Sequence, residues 1–69
     1  MTTEEAKRAF LEDKRINFYS RHGNFYGLKI YQLVYEKKDG NVQASFVLSD
    51  KNGRTLYSAS LKECEIASA

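Results

Sequence analysis

Two dipeptides, Asp39-Gly40 and Asn52-Gly53, flank the uncharged stretch Asn41–Ser49, and they constrain this chain more than any other feature. A type I′ hairpin turn needs positive φ at both central residues, and Asp-Gly or Asn-Gly tolerates that best. Two such turns predict a register. Pairing Lys38 with Asn41 sets Tyr35 opposite Ala44, Leu33 opposite Phe46 and Tyr31 opposite Leu48. Pairing Lys51 with Arg54 sets Leu48 opposite Tyr57, Phe46 opposite Ala59 and Ala44 opposite Leu61. Residues directly opposite share a face. Both turns therefore select one inner face: Tyr31, Leu33, Tyr35, Val42, Ala44, Phe46, Leu48, Tyr57 and Ala59. A slip of one residue would expose that whole set.

The pattern extends upstream. Alternation begins at Ile16, Gly23-Asn24 punctuates it, and Phe25 to Lys37 reads as one long strand. A two-residue loop at Gly23-Asn24 adds Ile16 and Phe18 to the inner face. Before this the period is helical, from about Thr3 to Asp13, with Ala6, Ala9 and Phe10 on one stripe and Leu11 at its edge. Thr2 and Glu5 have capping-box spacing, and Glu4 and Glu5 suit the positive end of a helix dipole. Ser60 and Glu63 repeat that spacing and predict a short helix to about Ala67, with continued strand alternation as the alternative. The expected fold is α+β, a single domain over 1–69. Its N-terminal helix packs on a four-stranded antiparallel meander, followed by a short C-terminal helix.

Sixty-nine residues bury only about 60% of the unfolded surface. A core of that size supplies ~3–5 kcal/mol, so a partner or second copy would matter to it. With 42% hydrophobic and 29% charged residues the composition is that of a globular domain. The single Cys64 closes no internal disulfide, the start is polar and acidic, and no apolar run approaches the ~20 residues of a membrane helix. These features lead to the expectation of a cytoplasmic protein without a membrane partner. His22 is the only histidine, so neither a triad nor a His/Cys metal site can be assembled around it. Cys64 has no activating histidine or second cysteine, and the acids fall on helices and at turns. No glycine precedes a helix in a phosphate-binding arrangement. No catalytic residue, metal or cofactor is expected, and the chain is read as a non-enzyme.

Two surfaces remain. On the predicted outer face lie Leu28, Ile30, Gln32, Val34, Ser45, Val47, Ser49, Leu56 and Ser58, apolar in the middle and uncharged. The cores of protein interfaces are depleted in charge in the same way. Leu28, Ile30, Gln32, Val34, Val47 and Leu56 are therefore the candidate protein-interface residues, for a different protein or a second copy. The other surface is the first hairpin. Residues 14–35 carry four bases, no acid and six of the nine aromatics. Lys14, Arg15, Arg21, Phe25, Tyr26 and Lys29 form the alternative, a single-strand nucleic-acid site in which bases stack on aromatics and cations hold phosphates. The primary expectation is a small regulator, inhibitor or assembly factor, of the kind phages and mobile elements carry as accessory proteins, acting through protein contact.

Overall fold

The computed structural model describes residues 1–67. Helix α1 spans Thr3–Leu11, and strands β1 (Ile16–Ser20), β2 (Gly23–Lys38), β3 (Asn41–Ser49) and β4 (Leu56–Ser60) follow as an antiparallel meander. A single 3-10 turn, Leu61–Glu63, leads into β5 (Cys64–Ile66). The strand order is β4-β3-β2-β1-β5, so the sheet has five strands rather than the expected four.

The helix begins as its spacing predicts. Thr2 accepts from the Glu5 amide at 3.1 Å, and the Glu5 carboxylate accepts from the Thr2 amide at 3.0 Å. Its buried face is only Ala6 and Ala9, two small side chains that let the helix lie close on the sheet. Phe10 and Leu11 stay exposed.

The expected C-terminal helix does not form. The Ser60 amide and hydroxyl both donate to Glu63 Oε1, at 3.3 and 2.9 Å, so the capping residues do meet. One turn uses them up. The chain then pairs Cys64, Glu65 and Ile66 with Phe18, Asn17 and Ile16, occupying the otherwise open edge of β1. In β5 Cys64 is buried, and Glu65 and Ile66 are exposed.

One of the three hairpin turns forms as expected, and two depart from expectation in form while keeping the faces. Asp39 and Gly40 have φ of 53° and 81° and make the predicted two-residue turn. Around Asn52-Gly53 the strands instead end at Ser49 and Leu56. The Asp50 carbonyl accepts from Gly53 N at 3.1 Å, and its carboxylate accepts from Arg54 N at 2.9 Å. The longer loop shares its centre with the predicted one, so Leu48 still faces Tyr57 and Phe46 still faces Ala59. The first hairpin turns at Arg21-His22 and not at Gly23-Asn24, because Ser20 closes it: its hydroxyl donates to Gly23 O and accepts from His22 N.

Strand β2 carries the main correction. The β1–β2 register shifts between Ile16 and Phe18, where Gly27 sits at φ 68° with its amide donating to Asn17 Oδ1 at 3.0 Å. A second shift lies between Ile30 and Gln32, so Ile30 rather than Tyr31 stands opposite Leu48. Each β-bulge adds one residue and reverses the side-chain parity. Leu28 and Ile30, expected on the outer face, therefore face the core. Leu28 is buried and Ile30 packs against the core cluster, while Tyr31 is displaced and 59% exposed.

The bulges also bend the sheet. A straight 16-residue strand would span ~50 Å, yet the longest dimension of the molecule is 36 Å. Curling brings Tyr57 of β4 against Phe25 of β2 at 4.8 Å and Phe18 of β1 at 6.2 Å between ring centroids. Within that curl lie Phe46, Ile16 and Leu48, the largest fully buried side chains. Leu61 closes the core beside Met1, whose amino group donates to its carbonyl at 3.5 Å.

Candidate functional site

Three of the elements end well before β2 and β3 do. Strand β1 pairs with β2 only up to Leu28, and β4 pairs with β3 only as far as Ser45. A nine-residue helix covers ~14 Å, a fraction of the long hairpin. From about Gln32 to Ser45 the two strands therefore run on as a two-stranded arm. Its inner side continues the core face, with Leu33 and Ala44 half-buried, and Tyr35 (49%) and Val42 (61%) exposed. Both were expected in the core. They lie beyond the reach of the helix.

The outer face keeps four of the six predicted interface residues: Gln32, Val34, Val47 and Leu56. Register places Gln32 opposite Val47, and Leu56 opposite Ser49 on the next strand. Val34 and Val47 are half-buried, while Gln32 and Leu56 are exposed. With Leu28 and Ile30 gone inward, this patch is narrower than the unbulged strand implied.

The nucleic-acid candidates are divided in the same way. Phe25 belongs to the inner aromatic cluster with Phe18 and Tyr57. Lys14 pairs with Glu12 at 3.8 Å. Arg15 lies just before β1, and its carbonyl accepts from the Ala67 amide at 2.9 Å. Arg21 sits in the first turn. Tyr26 is 62% exposed and meets Tyr19 edge to face at 6.1 Å between centroids. Lys29 is exposed on the same strand beyond the Gly27 bulge. Sequence reasoning passed over Tyr19, whose hydroxyl donates to Glu65 Oε1 and whose own ionisation that bond pushes upward. It also passed over the exposure of Tyr35 and Val42. The mismatch between the helix and the Phe25–Lys38 strand in length was the available signal.

The reactive side chains are apart. Cys64 is buried, and burial, with Glu63 adding to it, pushes its thiol up to about 11. His22 is exposed in the first turn. Among the described residues no group of three His, Cys, Asp or Glu could hold a metal ion. An open groove of about 540 Å³ runs between the charged side of α1 and β5, lined by Glu4, Arg8, Leu11, Glu12 and Ile66 among others. No helix in the described residues is long and apolar enough to cross a membrane.

Comparison with protein-family models, with curated proteins and with solved structures found no match.

Proposed function

We propose that this chain is a small non-enzymatic binding protein that acts by occupying a surface on another protein, as a regulator, inhibitor or assembly factor does. The observation that carries this reading is the arm. A domain with so small a core leaves Tyr35 and Val42 outside it, beside the half-buried Leu33 and Ala44. Burial of that surface against a partner would return ~25 cal/mol per Å² before the costs of association. The uncharged outer patch of Gln32, Val34, Val47 and Leu56 supports the same reading.

A second reading, single-stranded nucleic acid held by the first hairpin, is favoured by one observation, the exposed Tyr26 with Tyr19 at its edge. Affinity capture from a lysate of the native host separates the two. The expected result is a protein retained by the wild type and lost from Val42→Lys or Val47→Glu, with both variants melting cooperatively. Retention of nucleic acid instead, falling steeply with salt and weakened by Tyr26→Ala, would select the second reading. Protein capture indifferent to both arm and outer-face variants would contradict the first.

A further inference from the structure

The free edge of β2 has the features of a strand that adds to a copy of itself. Among the described residues, no strand pairs with β2 beyond Leu28 on the side away from β3. Which backbone groups point there follows from the Asp39-Gly40 turn. The pair closing a two-residue hairpin, Lys38 and Asn41, is a hydrogen-bonded pair, and such pairs alternate along an antiparallel ladder. Glu36, Val34 and Gln32 therefore direct their amides and carbonyls to β3. Leu33, Tyr35 and Lys37 direct theirs to the open edge.

Natural edges are guarded by charge, proline or a bulge turned outward. On this edge the charges lie at the two ends, Lys29 before the Tyr31 bulge and Glu36, Lys37 and Lys38 toward the turn, and Gln32–Tyr35 between them is bare.

We propose that two copies of this chain pair antiparallel through the β2 edge, about a two-fold axis perpendicular to the sheet at Val34. That axis keeps the inner faces on one side and requires residues of equal parity to meet. Centring it on Val34 puts Leu33 opposite Tyr35 of the second copy, twice, on the inner face. On the outer face Val34 meets Val34 and Gln32 meets Glu36. Leu33 and Tyr35 then exchange backbone hydrogen bonds, because both already point outward.

Charge selects this register over its neighbours. Centring on Tyr35 sets Lys37 against Leu33 and Glu36 against Val34. Centring on Glu36 sets two carboxylates face to face. Centring on Leu33 drives the pairing into the Tyr31 bulge.

The edge is short, below the ~1,200 Å² of a standard interface, so the dimer is expected to dissociate on dilution. It goes beyond the binding reading above and does not depend on it. Two arms side by side would join their Leu33, Tyr35, Val42 and Ala44 surfaces into one.

A residue on a two-fold axis meets itself, and this makes the test specific. Val34→Lys and Val34→Glu are purified separately, checked for cooperative melting, and examined by sedimentation velocity alone and mixed. The wild type is expected to shift from monomer to dimer with concentration. Each variant alone is expected to stay monomeric, since like charges meet on the axis, and an equal mixture is expected to recover the dimer. Wild type that remains monomeric to about 1 mM overturns the proposal. So do variants that dimerise unmixed, or a mixture that does not recover. Should either variant fail to fold, amide exchange of the wild type decides. The amides of Leu33 and Tyr35 are expected to gain protection as concentration rises, and concentration-independent exchange there overturns the inference. None of these failures touches the Val42→Lys and Val47→Glu capture result, which tests the binding reading by itself.

Discussion

Gly27 shows how much one residue can decide here. Its φ of 68° lies in the left-handed region, and a Cβ added to it would meet nothing within 4 Å. Any loss on substitution is therefore conformational and not steric. Gly27→Ala should cost ~1 kcal/mol, the penalty for an L-residue in that region. The loss should appear in thermal or denaturant unfolding with the sheet retained. A much larger loss would mean that the bulge cannot form with alanine and that Leu28 has left the core. The Asn17 side chain satisfies the Gly27 amide, so this bulge has both a permissive residue and a hydrogen-bond partner. A glycine inside a strand pattern marks a bulge, and in that sense the first of the two was legible in the sequence. The second was not. Tyr31 is an ordinary strand residue, and no glycine or turn signal marks its displacement.

Among the elements, α1 was the most completely legible, because its capping signal is local and acts locally. The Thr2 amide and hydroxyl hydrogen-bond the Glu5 carboxylate and hold it below the usual carboxylate range. A carboxylate favoured in the folded state contributes above its unfolded pKa, and the contribution is lost as pH falls through the lower folded value. Glu5→Ala should therefore lower the melting temperature at neutral pH, with the difference from wild type shrinking in acid. A difference constant across that range would mean that the carboxylate takes no part in the cap. The two long hairpins were legible in register, since Leu33 meets Phe46 and Leu48 meets Tyr57 as the turns required. The C-terminal segment was misread for a physical reason. A capping box specifies one turn, and whether a helix continues depends on what else the chain can pair with. Here that was the edge of β1, nearly fifty residues away in sequence.

Across the whole molecule, the two bulges divide β2 between faces in a way that simple alternation does not. Leu28 and Ile30 go to the core with Phe46 and Leu48. Val34 and Val47 stay outside, and the arm extends past both helix and β4. The face assignment was legible for the β3 and β4 residues Val47 and Leu56, and for Gln32 and Val34 beyond the second bulge, and it failed for Leu28 and Ile30 between the bulges, where parity is reversed. The functional reading depends on this division, because a face that the core does not need is free to meet a partner. Leu28→Glu and Val47→Glu test it most directly, compared by thermal unfolding under the same conditions. On an unbulged strand both positions share the outer face and the two substitutions would behave alike. With Leu28 buried, a carboxylate there is stranded in the core and the variant should not fold. Val47→Glu should keep a cooperative transition within ~1 kcal/mol of wild type. Equal losses in the two variants, or a greater loss at Val47, would contradict the account.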